Sequence, residues 1–147
     1  MAETLSQRYA RFYAPLALLT FALAFAPLFD DVVEYDARGQ VEMRAHYGTV
    51  FDMANTGGGG AAVIGIVLLF SLVGCLAAVA FGARGPALPG TCAGLAALIA
   101  LMLITKPGTG TPTPHLSGFG AVGLALAVAT VVIGGTHAVH LALRRGE

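Results

Sequence analysis

The sequence has no tryptophan, one lysine, two cysteines and few charges in its 147 residues. Only 11% of the residues are charged, against about a quarter in an ordinary soluble domain, and 56% are hydrophobic. This composition excludes an ordinary soluble globular domain. A formal net charge of zero gives no reason to expect a nucleic-acid partner. Two cysteines in separate apolar segments do not make a disulfide framework.

Charged residues are also missing from four long stretches of the chain, and each stretch holds an apolar run. As a helix, each run would be about 27–37 Å long, which matches a hydrocarbon core of about 30 Å. A backbone in lipid must satisfy its own hydrogen bonds, so the runs are predicted to be helices. We therefore predict an all-α membrane protein, a single four-helix transmembrane bundle with spans at residues 12–29, 60–81, 88–105 and 119–143.

The first run has an alternative interpretation as a cleaved signal peptide, because Arg8 and Arg11 precede it. Residues 22–24 or 24–26 could form the cleavage site. Pro27 argues against cleavage after Ala26, and cleavage after residue 24 would leave a short apolar region. We expect the run to be retained as a membrane anchor.

The basic residues favour an orientation with both termini in the cytoplasm of a bacterial inner membrane. In that orientation five arginines are cytoplasmic and three basic residues lie outside, as the positive-inside rule prefers. Segment 30–59 holds six acidic residues and two arginines, a net charge of −4, and is placed outside. The five inside are Arg8, Arg11, Arg84, Arg144 and Arg145, and those outside are Arg38, Arg44 and Lys106.

Segment 30–59 is predicted to contain an extracytoplasmic β-hairpin. Residues 41–47 alternate apolar and polar side chains, residues 32–35 are β-prone, and the glycine-containing segment 36–40 connects them. A hairpin alone is marginally stable in water. Its apolar face is therefore expected to lie on the helix ends or to bind a partner protein. That face consists of Val41, Met43, Ala45 and Tyr47.

No Asp, Glu, Lys or Arg lies inside the four predicted spans. Ionisable residues in the membrane mark pumps, ion-coupled transporters and intramembrane enzymes, so their absence argues against these classes. We predict no catalytic residues and a protein that is not an enzyme.

Histidine is the exception, because His137 and His140 are three residues apart and share one face of the last predicted helix. They are expected about 9 and 5 Å inside the cytoplasmic boundary, at a depth similar to Cys75 and Cys92. Two Cys and two His could form a zinc site, but the spacings match no zinc motif. A haem would take ligands from facing helices. We predict no metal and no cofactor.

Two further predictions concern contact with lipid and the packing of the helices. His137, His140, Arg144 and Arg145 are candidates for contact with lipid head groups or a quinone, since basic residues at the boundary attract anionic lipid. Gly90 and Gly94 have the GxxxG spacing that lets helices approach closely, and they are candidates for contact with a partner. Further small-residue rows, such as Gly134 with Ala138, are expected inside the bundle.

The order of one helix, an extracellular β-segment and three helices resembles claudin-type tetraspan proteins. The paired extracellular cysteines and the tryptophan motif of that family are absent here. Size, topology and composition are similar to the small four-span accessory subunits of mycobacterial lipid-import (Mce) or respiratory complexes. This resemblance implies a non-enzymatic inner-membrane accessory subunit that stabilises a larger envelope complex. The expected partners are membrane lipid and that complex; the alternative is a small conduit for lipid, quinone or solute.

Overall fold

The computed structural model describes residues 5–55, 59–82, 85–106 and 113–144. Within these ranges the chain forms five helices and one two-stranded antiparallel sheet. The elements are α1 (Leu5–Leu23), β1 (Val32–Tyr35), β2 (Val41–Ala45), α2 (Val50–Asn55), α3 (Gly59–Ala80), α4 (Ala87–Thr105) and α5 (Gly118–Leu143).

Helices α3, α4 and α5 are each long and apolar enough to cross a membrane, which indicates a multi-pass membrane protein. Their ends lie within one residue of the predicted spans at 60–81, 88–105 and 119–143. Only 22% of the most apolar part of each helix is buried inside the protein. The remaining apolar surface faces outward, as it does in helices solvated by lipid.

Helix α1 differs from the predicted span at residues 12–29, because it begins at Leu5 and ends at Leu23. A charged residue does not end a helix, so α1 includes Arg8 and Arg11, which lie before the apolar run. At the other end, Pro27 disfavours helical backbone in the residue before it, and residues 24–26 form turns. The three candidate spans of the described residues do not include α1.

The four long helices form a closed ring in which α1 packs against α3, α3 against α4, α4 against α5, and α5 against α1. A core cluster on α1, α3 and α4 includes Tyr13, Leu76 and Cys92. The start of α1 meets the end of α5, where the Tyr9 hydroxyl lies 2.8 Å from Nδ1 of His140. We call this the terminal end of the bundle, and the opposite end the hairpin end.

At the hairpin end, the chain after α1 is tied to the start of α5. The Ser117 hydroxyl donates to the Pro27 carbonyl at 2.6 Å, and the Ser117 N–H donates to the Leu28 carbonyl at 3.0 Å. The N–H of Asp30 donates to the carbonyl of His115 at 2.9 Å. These bonds fix the point from which the hairpin leaves the bundle.

Close helix packing depends on Gly134 more than on the predicted pair Gly90 and Gly94. A Cβ on Gly134 would lie 2.7 Å from the Pro89 carbonyl oxygen, so α4 and α5 are in backbone contact there. Gly90 faces Ala138 of the same chain, with 3.9 Å between its Cβ position and the alanine methyl, whereas no other part of the described chain lies within 4 Å of a Cβ built at Gly94. Of the predicted partner-binding pair, only Gly94 is therefore open.

Candidate functional site: the hairpin and the tyrosine–histidine cluster

The hairpin forms where the sequence predicts it, with a turn built around Asp36. Its Oδ1 accepts the N–H groups of Arg38 and Gln40, each at 2.8 Å. Gly39 has φ +75°, which favours glycine because side chains with a Cβ are strained there. The turn residues thus account for the hairpin's position in the chain.

A β-bulge interrupts the predicted apolar face. Glu34 pairs with Met43, but Tyr35 pairs with Val41, so the register shifts by one residue between these pairs. Adjacent residues of a strand point to opposite faces of the sheet. The pairs Tyr35–Val41 and Glu34–Met43 therefore point to opposite faces, and Val41 leaves the face that Met43 and Ala45 share.

The outer part of the hairpin is exposed and apolar. Tyr35, Val41 and Met43 are 64%, 54% and 43% exposed, and within the described residues neither strand packs against a helix. Ala45 is half-buried. Tyr47 packs its ring against Phe29, with 6.4 Å between the ring centres. Of the four residues predicted for this face, Tyr47 thus contacts the chain's own bundle, and Val41 and Met43 do not.

An acid–base pair holds the base of the hairpin. The Asp31 carboxylate accepts a hydrogen bond from Nδ1 of His46 at 2.7 Å and from the Tyr47 N–H at 3.1 Å. The His46 hydrogen bond is the main reason that the pKa of Asp31 lies below its usual value. The same bond raises the pKa of His46 above 6.5. Both side chains are exposed.

The pKa shifts of Asp31 and His46 predict the pH range in which this pair stabilises the hairpin. The Asp31 contribution is lost as the pH falls below 3.8, and the His46 contribution declines as the pH rises through its raised pKa. In a histidine NMR titration, the midpoint of His46 is expected above 6.5 and is expected to fall towards 6.5 in Asp31→Asn. An unchanged midpoint in Asp31→Asn would contradict the pairing. His115, which is exposed and whose ring is outside this contact, is the internal control.

All six carboxylates of the described residues lie in segment 30–52. Two arginines, Arg38 and Arg44, accompany them, so this segment has a net charge of −4. Such a charge guides the approach of a basic surface and contributes more to association rate and specificity than to affinity. The exposed apolar side chains are the groups able to supply affinity.

A cluster of two tyrosines and two histidines lies at the terminal end. The Tyr13 hydroxyl is 3.0 Å from Nδ1 of His137, and the Tyr9 ring stacks on the His137 ring with 4.5 Å between centres and 8° between planes. The Tyr9 hydroxyl bonds to His140 in turn. Tyr13 is 0% and His137 2% exposed. Among the described residues, Nε2 of His137 has no hydrogen-bond partner.

The residues predicted to contact lipid head groups differ in their exposure. His140 and Arg144 are exposed at the terminal end, as the predicted contact requires. His137 is buried beneath Tyr9 and does not present its ring to the surface. Arg145, and Arg84 of the orientation argument, lie outside the described residues.

Cys75 and Cys92 are free thiols and pack in the core cluster with Tyr9 and Tyr13. The two cysteines therefore lie close to the tyrosines, and the tyrosines in turn contact His137. Within the described ranges, no three His, Cys, Asp or Glu side chains form a group that could hold a metal ion. Neither tyrosine is a predicted site residue, and Tyr13 lies in the core cluster. The i,i+4 spacing of the tyrosines, matched to the i,i+3 spacing of the histidines, is the signal that could have paired them.

Comparison of the chain with protein-family models, curated proteins and solved structures found no match.

Proposed function

We propose that this protein is a non-enzymatic, membrane-embedded accessory subunit that binds a partner protein through its hairpin. The observation that carries the proposal is the exposed apolar pair Tyr35 and Val41, which share one face of strands that rest on no helix of the described chain. Two strands alone are marginally stable. A partner that covers them would supply the missing contacts and bury apolar area worth about 25 cal/mol per Å² before binding costs.

The proposed partner presents an apolar patch bordered by basic residues. The reason is that segment 30–52 is acidic overall. Two of its carboxylates, those of Glu34 and Glu42, lie within the strands themselves. The resemblance in size and topology makes lipid-import and respiratory complexes of the envelope the first candidates. A conduit for lipid, quinone or solute is the alternative, and transport by the purified chain in liposomes would favour it.

The proposal places the hairpin outside an inner membrane and both termini in the cytoplasm. It includes a fourth crossing made by residues 12–29, in which the apolar part of α1 continues through the turns that follow it. The contact of Tyr9 with His140 supports this arrangement, because it brings the start of α1 and the end of α5 to the same end of the bundle. Reporters active only in the cytoplasm are expected to work after Glu147 and to fail at Gly39.

Replacement of the exposed apolar pair tests the docking proposal. Tyr35→Ser with Val41→Ser is expected to reduce co-purification of the partner by at least about tenfold, since the loss of two interface anchors typically costs more than about 1.4 kcal/mol. Insertion into the membrane and the melting temperature are expected to stay unchanged, because neither side chain contacts the bundle. Affinity capture of the tagged full chain with quantitative mass spectrometry measures the effect.

Two further variants control for nonspecific effects. His115→Ser alters an exposed side chain at the same end of the bundle but outside the hairpin, and it is expected to keep the partner. Tyr47→Ala removes the contact with Phe29, and it is expected to lower the melting temperature. Undiminished capture in the Tyr35/Val41 variant would refute docking through this surface.

A further inference from the structure

The two strands of the hairpin differ in the outer edge that each one presents. Within the described residues the sheet contains β1 and β2 alone, so no further strand lies beside either edge. In an antiparallel pair, the backbone N–H and C=O groups of successive residues point alternately towards the other strand and away from it. The N–H of Asp36 donates to the Gln40 carbonyl at 2.8 Å and thus points inward. The backbone groups of Tyr35 and Val33 therefore point outward.

The outward backbone groups are evenly spaced on β1 but not on β2. Val33 and Tyr35 are two residues apart, as in any regular strand. Their cross-strand partners, Arg44 and Val41, are three residues apart because the bulge inserts a residue between them. A regular strand forms hydrogen bonds at every second residue of its neighbour. An added strand could therefore bond to both outward residues of β1, but not to both of β2 in one register.

The charges of the strands distinguish the two edges in the same way. Bulges and charged side chains are the features by which proteins keep an exposed edge from pairing with another strand. Strand β2 has the bulge and two charged residues, Glu42 and Arg44. Strand β1 has no bulge, and Glu34 is its single charged residue among two valines and a tyrosine. The edge of β1 is therefore the one suited to pairing.

We propose that the partner protein adds an extended segment to the outer edge of β1, as a third strand of the sheet. This inference rests on the proposed docking function and specifies how the docking occurs. The main-chain groups of Val33 and Tyr35 supply hydrogen bonds to the added strand, and alternate side chains of that strand lie beside the apolar face. That face includes Tyr35 and its neighbour across the hairpin, Val41.

Charge selects a basic segment of another protein over a second copy of this chain. Segment 30–52 has a net charge of −4, so pairing of two β1 edges would bring two acidic segments together. Glu34 lies between the two outward residues of β1. A lysine or arginine opposite it on the added strand would form a cross-strand pair of opposite charge, which stabilises a sheet, whereas like charges in that position destabilise it.

Proline at position 33 tests the pairing without removing a bond of the hairpin, because the Val33 N–H points away from β2. Val33→Pro is expected to reduce capture of the partner by at least about tenfold, since the partner's carbonyl loses its donor and is left buried without one. Val33→Thr keeps the N–H group and a β-branched side chain, and it is expected to retain the partner. A titration midpoint of His46 that stays above 6.5 shows that the base of the hairpin is intact in each variant.

Arg44→Pro is the matched control on the other edge. Arg44 pairs with Val33 across the hairpin, so its N–H also points outward, but on the side where no strand is expected. This variant is expected to retain the partner. If Arg44→Pro loses the partner and Val33→Pro keeps it, the assignment to the β1 edge is wrong.

Amide hydrogen exchange measures the added strand directly. The full chain is compared with its complex with the protein that it retains in affinity capture. The amides of Val33 and Tyr35 are expected to exchange at least about tenfold more slowly in the complex, whereas those of Val41 and Arg44 are expected to change little. Equal slowing on both strands would indicate a partner that covers the face of the hairpin without pairing with its edge, and it would overturn the proposal.

The variants also separate this inference from the docking proposal on which it rests. Loss of the partner in Tyr35→Ser with Val41→Ser, together with normal capture by Val33→Pro, would leave docking intact and refute strand addition. Normal capture by both variants, or no captured partner for the native chain, would refute both proposals. Slowed exchange of the β1 amides in the purified chain alone, increasing with its concentration, would identify a second copy as the occupant and contradict the basic partner.

Discussion

Gly134→Ala is expected to destabilise the bundle by about 1–3 kcal/mol or more, although alanine is the better helix former. The new methyl would lie 2.7 Å from the Pro89 carbonyl oxygen and 3.3 Å from the Ala93 Cβ. The first of these atoms belongs to the backbone and cannot turn aside as a flexible side chain would. Helix α4 must therefore move away from α5, and the neighbouring core must repack.

The adjacent glycine provides the control. Gly135 lies on the same helix, and no neighbouring element of the described residues lies within 4 Å of its Cβ position, so Gly135→Ala is expected to keep or raise the melting temperature. Thermal unfolding of both variants in the same detergent measures the difference. Equal melting temperatures for the two would show that the helices are not in backbone contact at Gly134.

Tyr13→Phe is expected to cost about 1–3 kcal/mol, because it leaves a buried imidazole with no hydrogen-bond partner among the described residues. Nε2 of His137 already has no partner in the described part of the chain, and the Tyr13 hydroxyl at Nδ1 would then be lost as well. Tyr9→Phe is the matched change. Its partner His140 is exposed and can find other hydrogen bonds, so the expected cost is below about 1 kcal/mol.

The double variant distinguishes a lost hydrogen bond from lost packing. Replacing both members of a buried polar pair by apolar groups of similar shape is nearly neutral. Tyr13→Phe with His137→Leu is therefore expected to be more stable than Tyr13→Phe alone. Additive losses in this cycle would contradict the assignment of Tyr13 as the partner of His137.

The sequence was a good guide where a feature depends on neighbouring residues. The hairpin follows from alternation around a turn with Asp36 and Gly39. The bounds of α3, α4 and α5 follow from runs of apolar residues bordered by polar or turn-forming ones. The start of α1 was misplaced because the edge of an apolar run marks where lipid contact can begin, whereas a helix can continue through Arg8 and Arg11.

Features that depend on the rotation of a helix about its axis, or on contact between elements, were harder to predict from the sequence. The spacing of His137 and His140 gave their shared face but not the direction of that face, which the packing of α1 against α5 decides. The same limitation applies to small residues, since Gly90, Gly94 and Gly134 look equivalent in sequence and only the helix crossing separates them. The bulge near Val41 was invisible to a simple alternating pattern.

The pairing of the first helix with the last has a consequence for biosynthesis. Tyr13 and His137 are 124 positions apart, and synthesis at about 5–20 residues per second separates them by roughly 6–25 s. During that interval α1 has left the ribosome but its polar contacts with α5 do not yet exist. Until then α1 can pack only against α3, which is synthesised before α4 and α5. Arrival of α5 is therefore the step that closes the bundle, and truncation within the last helix leaves Tyr9 and Tyr13 without their histidines.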